Sequence, residues 1–224
     1  MRKIDPELRG QMRKTYVGKL MNVIRIKGFN SLKIQDMAEY MQISKASLYN
    51  YFSSKEEIIQ ELTRTYIAYY EEVDQTILNN ELTYIDRFQK LYEQEVLTFI
   101  YISELFLEEL KVGFSELYEG IMSARQQRKM NIRQFYEMGM KEGIFHTLNP
   151  SIYTVQDEVM LRKLLDPAFL LEEGLTIKQV LFDYYQAKKV QVFKADELKR
   201  INDKSTILEK IEYLTRKLSN SYSS

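Results

Sequence analysis

The chain has 224 residues, with 32 Lys and Arg balanced by 32 Asp and Glu, and a hydrophobic content of 45%, enough to fill the core of one large domain or two modest ones. It has no cysteine and one histidine, which excludes a disulfide framework and thiolate metal sites and disfavours most catalytic schemes, so we predict no enzyme activity, metal or cofactor. No segment is apolar enough to span a membrane and the first residues are charged, so we expect a cytoplasmic protein.

The charge is distributed unevenly along the chain. Residues 1–55 carry 11 Lys and Arg against 4 Asp and Glu, whereas residues 56–224 carry 21 against 28. A basic first quarter joined to an acidic remainder is typical of a small domain that contacts a polyanion. The alternative is a solvated, charged helix surface, and charge alone does not choose between the two.

The first part of the chain is predicted to form one long helix and two short ones. The long helix runs from Pro6 to Lys27, because Asp5 is a suitable N-cap and Gly28 a suitable C-cap. Apolar residues at helical spacing predict a two-turn helix over 34–41. After a three-residue link, Ser44 caps a second short helix.

The rest of the chain is predicted to be helical, with no strand. Further helices are predicted from Lys55 onward, from Tyr84 to about Phe106, from Glu108 to Phe114, from Ser115 to Glu142, from Pro150 to about Leu165, from Pro167 to Gly174 and from Thr176 to about Lys194. The helix from Ser115 carries four basic residues on one face: Arg125, Arg128, Lys129 and Arg133. We expect this face to be solvated. The last segment has a narrow apolar seam, formed by Ile207, Ile211, Leu214 and Leu218, that either joins a dimer interface or folds back on its own subunit.

Two short helices joined by a tight turn after a longer helix are typical of a helix-turn-helix, here spanning Ile34 to Phe52. Their spacing assigns four residues to the core: Met37, Ala38, Leu48 and Phe52. The opposite side of the second short helix, which we name the recognition face, consists of Lys45, Ala46, Ser47, Tyr49 and Asn50. Lys, Ser and small or aromatic side chains suit guanine acceptors and thymine methyl groups in the major groove.

These residues occur in a recognisable string. Gly28-Phe29 is followed by Ile34-Gln35-Asp36-Met37-Ala38 and then by the run from Ile43 to Glu57, whose sequence is ISKASLYNYFSSKEE. Over roughly residues 6 to 70 the chain resembles the DNA-binding domain of the TetR family of transcriptional regulators. Many members of that family carry Thr or Ser where this chain has Leu32 and Lys33, and Lys33 could replace the missing phosphate contact by its charge.

The resemblance implies which residues contact DNA. The expected base-facing residues are Gln35, Lys45, Ala46, Ser47 and Tyr49, with Asn50 as a further candidate. Tyr51 and Lys55 are expected to clamp the DNA backbone. The full predicted DNA-binding set is Lys33, Gln35, Ser44, Lys45, Ala46, Ser47, Tyr49, Asn50, Tyr51 and Lys55. Without the family resemblance, Tyr49 and Tyr51 would instead be interpreted as partly buried aromatic residues.

The predicted fold class is therefore all-α. An N-terminal three-helix DNA-binding domain with a helix-turn-helix covers residues 1–54, and a larger helical ligand-binding and dimerisation domain covers residues 55–224, with an extra C-terminal helix at about 204–219. Met and aromatic residues of the second domain could line an effector pocket suited to a small, lipophilic molecule. The candidates are Tyr66, Tyr69, Tyr70, Tyr92, Phe99, Phe106, Met122 and Phe135, although most such residues form plain core.

The family resemblance implies a homodimer that binds an inverted-repeat operator in double-stranded DNA and is released by an effector, with repression as the usual outcome. The dimer interface should use the helices at about 150–165 and 176–194. The alternative function is a helical interaction or scaffold protein whose basic N-terminal surface is merely solvated. An enzyme is disfavoured by the single histidine, the absence of cysteine and the lack of a glycine-rich phosphate loop.

Overall fold

A computed structural model describes residues 5–222 and, within them, every side chain except those of residues 73, 74 and 220–222. Its regular structure is helical apart from one isolated antiparallel bridge between Phe145 and Phe193, so the predicted all-α class is confirmed. The helices are α1 (Pro6–Lys27), α2 (Ile34–Met41), α3 (Lys45–Tyr49), α4 (Lys55–Ile77), α5 (Tyr84–Tyr101), α6 (Glu104–Gly113), α7 (Ser115–Lys141), α8 (Pro150–Leu164), α9 (Pro167–Glu172), α10 (Ile177–Val192), α11 (Ala195–Leu198) and α12 (Lys204–Tyr222). No helix in this range is both long and apolar enough to cross a lipid bilayer.

The described residues form two compact units. Residues 5–70 and 101–125 make up unit 1, and residues 71–100 and 126–222 make up unit 2. This division follows packing, and it places α6 in the same unit as the three N-terminal helices. The functional boundary after residue 54 stays a prediction.

The core of unit 1 is built on one face of α1. Asp5 starts this helix by accepting the backbone N–H groups of Glu7 and Leu8 at 2.9 and 3.3 Å. The buried side of α1 consists of Tyr16, Val17, Leu20, Val23 and Ile24. The four residues assigned to the core of the helix-turn-helix, Met37, Ala38, Leu48 and Phe52, are all fully buried, as predicted. Helix α6 adds Phe106, Leu107 and Leu110 to the same core.

Two predictions about the middle of the chain are wrong. The helix that begins at Tyr84 ends at Tyr101 rather than near Phe106, because the Ser103 hydroxyl caps a new helix by accepting the N–H of Phe106 at 3.2 Å. The second error concerns Arg128, which is buried rather than solvated and donates to Glu95 at 2.5 Å. Sequence spacing assigned it to a charged face, but it did not reveal that α5 supplies a carboxylate.

The apolar seam of α12 packs within its own chain. Ile207, Ile211, Leu214 and Leu218 are all buried in the single chain, and α12 packs against α10. Asp203, just before α12, accepts the hydroxyl of Tyr185 and, at 2.8 Å, the ammonium of Lys189, which ties the start of the helix to α10. The alternative in which the seam folds back on its own subunit is therefore the correct one.

Candidate nucleic-acid interface

The turn between α2 and α3 is three residues long and needs one left-handed residue. Gln42 has φ 62° and ψ 42°, the only positive φ among the described non-glycine residues. The N–H of Ile43 returns to the carbonyl of Ala38 at 3.0 Å, which closes the end of α2. From α1, Lys19 donates to the carbonyl of Met41 at 3.1 Å and to the Gln42 side chain at 2.9 Å. The end of the turn next to α2 is thus fixed by hydrogen bonds.

Helix α3 carries the recognition face, and its amphipathic character fixes its orientation. Ser44 caps the helix, since its hydroxyl accepts the N–H of Ser47 at 3.0 Å. Leu48 is fully buried, whereas Tyr49 is 50% exposed. Lys45, Ala46 and Asn50 are exposed and Ser47 is half-buried. The structure therefore brings the five recognition-face residues together on a short, solvent-facing helix.

Two arginines of α1, which the sequence analysis did not single out, hold the end of α3. The carbonyl of Tyr51 accepts Arg9 Nη2 at 3.0 Å and Arg13 Nη1 at 2.9 Å. Arg13 also bonds Glu57 and Glu61 of α4, and its guanidinium lies 4.7 Å from the centroid of the Phe52 ring. Part of the basic surplus of the N-terminal segment is therefore used inside the protein. No signal in the sequence indicates this, because a position off the apolar face of α1 predicts solvated side chains.

The predicted contacts on α2 lie at its exposed beginning. Lys33 and Gln35 are both exposed, and Gln35 donates to Glu39 at 3.4 Å. Leu32 is buried. The Asp36 carboxylate accepts the N–H of Lys33 at 2.8 Å, which satisfies the backbone donor before α2 but not the N–H groups that a Thr or Ser cap would bind. The phosphate contact of Lys33 stays a prediction.

The two predicted backbone clamps already have partners within unit 1. The ring of half-buried Tyr51 lies edge-on to Tyr16, with centroids 5.0 Å apart. Lys55 donates to the carbonyl of Leu32 at 2.7 Å. An ammonium has three donors, so this bond leaves Lys55 able to contact a phosphate. The roles of both residues on DNA stay predictions.

Glu57 connects α4 to the end of the helix-turn-helix. Burial would raise its pKa, but hydrogen bonds from the N–H and hydroxyl of Ser53 at 2.6 and 2.8 Å, together with the guanidinium of Arg13, hold the pKa at about 2 instead of 4.5. Because the pKa is lowered on folding, the ionised carboxylate stabilises the folded state above about pH 4.5. That stabilisation is lost as the pH falls from there toward 2.

We expect Glu57→Gln to lower the free energy of unfolding at pH 7 by about 1 kcal/mol, less than the full pKa shift would give because the side chain is partly exposed and screened. Chemical denaturation at pH 7 and pH 3 measures this. The difference between variant and wild type should shrink at pH 3. Glu173→Gln, which removes an exposed carboxylate, is the control. An equal difference at both pH values would contradict the assignment.

The predicted effector-pocket residues divide between the two units. In unit 1, Tyr66, Tyr70 and Phe106 are buried, and Tyr69 and Met122 are half-buried. In unit 2, Tyr92 and Phe135 are buried and Phe99 is half-buried. The Tyr66 hydroxyl donates to the carbonyl of Tyr101 at 2.9 Å, and the Tyr92 hydroxyl donates to the carbonyl of Leu181 at 2.6 Å. Their role in a pocket stays a prediction.

Unit 2 also buries charged groups that the sequence did not indicate. Asp157 of α8 accepts the Lys188 ammonium and, at 2.7 Å, the Tyr184 hydroxyl, both from α10. Burial lowers the pKa of Lys188, and the charge of Glu95 opposes that shift. Only the packing of α8 on α10 shows that these groups meet.

Comparisons with known proteins agree with this geometry. Residues 20–62, which include the helix-turn-helix, match the model of the bacterial regulatory proteins of the tetR family. The HTH-type transcriptional repressor NemR of Escherichia coli K12 is 25% identical over 121 residues, a match that spans 52% of this chain and 61% of that relative.

Solved structures extend the likeness to most of the chain. A putative transcriptional regulator from Saccharomonospora viridis in complex with choline has a TM-score of 0.59 at 14% identity, covering 82% of this chain and 98% of that one. AibR in complex with isovaleryl coenzyme A and operator DNA has a TM-score of 0.54 at 12% identity, covering 79% and 97%. At these identities the two structures establish a shared fold.

Proposed function

Because residues 20–62 match the model of the bacterial regulatory proteins of the tetR family and the repressor NemR is 25% identical over 121 residues, we propose that this chain belongs to that family. We propose that it is a cytoplasmic, ligand-responsive transcriptional repressor that binds an inverted-repeat operator as a homodimer. The observation that carries this proposal is the exposed recognition face of α3, held between the capped turn at Gln42 and the two arginines on Tyr51. The match of residues 20–62 to bacterial regulatory proteins favours this function over a helical scaffold protein. NemR is named as a transcriptional repressor and the protein from Saccharomonospora viridis as a putative transcriptional regulator.

The DNA contacts of the proposal follow from the geometry of α3. In a helix-turn-helix the second helix enters the major groove and its first residues lie against base edges. Lys45 and Tyr49, which are exposed, would therefore contact bases. Lys33 and Lys55, at the starts of α2 and α4, would contact phosphates.

The homodimer is supported by an apolar row on α8. Ile152, Val155 and Val159 are 51%, 57% and 60% exposed, and their spacing of three and four places them on one side of the helix. An exposed row of this kind marks a protein contact. It lies on one of the two helices that the family resemblance assigned to the interface. We propose that a second copy of this chain covers it.

The effector is proposed from the relatives and the composition of the chain. The regulator from Saccharomonospora viridis is described in complex with choline, and AibR with isovaleryl coenzyme A. Small organic molecules are thus bound by proteins of this fold. We propose that this chain also binds a small molecule, with the eight Met and aromatic residues given above as candidate lining, and that binding releases the operator.

Selection from random DNA duplexes tests the DNA-binding proposal. We expect the purified protein to enrich one inverted repeat with half-sites about one helical turn apart. A gel shift with the enriched duplex and a scrambled one, at two salt concentrations, then measures specific and non-specific affinity. If no sequence is enriched and the two duplexes bind equally, the scaffold alternative is favoured instead.

A further inference from the structure

The turn between α1 and α2 is bound by a carboxylate from a helix about 80 residues away. Oε2 of Glu109, on α6, accepts the backbone N–H of Phe29 at 2.5 Å and of Asn30 at 3.0 Å. Neither N–H belongs to a helix, and that of Phe29 is partly buried and therefore needs an acceptor from elsewhere. One charged side chain satisfies both, and hydrogen bonds to a charged acceptor are stronger than neutral ones.

Gly28 makes this approach possible. Its φ of 69° and ψ of 171° lie in a region that is essentially restricted to glycine. A Cβ at this position would also lie 2.3 Å from Oε1 of Glu109. The turn therefore needs glycine for its backbone conformation and for the close approach of the carboxylate.

The same turn is bound through its carbonyl groups by α4. Lys55 donates to the carbonyl of Leu32 at 2.7 Å and to that of Asn30 at 3.5 Å. The Phe29 ring packs edge-on against Phe106 and Phe114, with centroids 5.9 and 5.7 Å away. The turn is thus held by an anion on its N–H groups, a cation on its carbonyls and an aromatic cluster.

Helix α2 begins at Ile34, two residues after Leu32, and α3 follows after the three-residue turn. With so short a connection, the conformation of residues 28–33 sets the direction in which α2 leaves α1. Because α2 and α3 are joined by a turn with defined hydrogen bonds, a change at residues 28–33 would move both. The recognition face would then meet the groove at a different angle.

We propose that Glu109 is a positioning residue for DNA recognition, which makes α6 a part of the DNA-binding machinery rather than of the ligand-binding domain alone. In this proposal Glu109 acts through the turn that it binds and not by contacting DNA itself. This inference rests on the proposed function. It predicts that loss of the carboxylate weakens the discrimination between operator and other DNA, while the attraction to phosphates stays the same.

The test compares four full-length variants with the wild type: Glu109→Ala, Glu109→Gln, Gly28→Ala and the control Glu108→Ala, which removes an exposed neighbouring carboxylate. Affinities for the selected operator and for a scrambled duplex are measured at a temperature where circular dichroism shows that every variant has the helical content of the wild type. Glu109→Gln keeps the shape of the side chain and one acceptor oxygen, so it serves if Glu109→Ala does not fold.

We expect Glu109→Ala to lower the ratio of specific to non-specific affinity by roughly tenfold, in the range produced by one lost base contact. Glu109→Gln should be intermediate, and Gly28→Ala should resemble Glu109→Ala because its Cβ displaces the carboxylate. The salt dependence of binding should match the wild type, since no phosphate contact is removed. Glu108→Ala should match it in every measurement.

Other results would overturn the proposal. If both Glu109 variants keep the wild-type ratio, or lose affinity equally for both duplexes, Glu109 only stabilises the fold. In that case the wild type still enriches an operator and the proposed function stands. If the wild type enriches no sequence, the proposed function fails and this inference fails with it.

Discussion

Lys45→Ala is expected to weaken operator binding by about a hundredfold, because a side chain that contacts a base edge is worth about 1–3 kcal/mol and a dimer loses two such contacts. Lys45 is the first residue of α3 and is exposed, in the position from which a recognition helix contacts bases. Tyr49→Ala should also weaken binding to the operator. Titration of labelled operator duplex, followed by fluorescence anisotropy, measures both.

The controls separate base recognition from loss of charge. Lys199→Ala removes an exposed lysine in unit 2, which pairs with Asp196 on the surface, and should leave the affinity unchanged. The affinity of Lys45→Ala for a scrambled duplex should fall much less than its affinity for the operator. Equal losses on both duplexes would mean that Lys45 contacts phosphates only, and no loss on the operator would remove α3 from the interface.

Replacing both Val155 and Val159 with aspartate is expected to convert the dimer into a monomer. The two valines are two of the three residues of the exposed apolar row on α8. A pair of unpartnered carboxylates buried in an apolar contact is strongly destabilising. Operator affinity should then fall by at least about a hundredfold. In a dimer, binding of one α3 helix places the second at a high effective concentration near its half-site, and a monomer loses this advantage. Light scattering after size-exclusion chromatography measures the mass.

Val112→Asp is the matched control, because Val112 on α6 is 89% exposed and lies outside the apolar row. It should leave the mass of the dimer unchanged. If the double variant of α8 remains a dimer, another surface forms the interface. If the double variant is a monomer that binds the operator as tightly as the wild type, the proposal that a dimer binds the operator through two α3 helices is wrong.

The helix-turn-helix could be predicted from the sequence because its determinants are local. The N-caps Asp5 and Ser44, the start of α4 at Lys55 and the buried spacing of Leu48 and Phe52 all involve residues within a few positions of one another. Helix capping and helical periodicity act over such distances. The same reasoning missed the cap at Ser103, because the apolar pattern continues across it.

The contacts that orient the helix-turn-helix were not visible in the sequence. Arg13 meets Glu61 across 48 residues, and Phe29 meets Glu109 across 80. Charged side chains on a helix surface are most often solvated, so neither pairing can be inferred from composition or period. The burial of Arg128 beside Glu95 was missed for the same reason.

The sequence by itself predicted the all-α class, the exposed side of α3 and the resemblance to one family, because these depend on short-range spacing and on one specific string of residues. Only the tertiary structure decided that the α12 seam packs on its own chain, that α6 belongs to the same compact unit as the helix-turn-helix, and that Glu109 binds the turn before α2. The physical reason is that these features arise where helices distant in sequence pack together. The conformation of the chain, and not its local pattern, brings their side chains into contact.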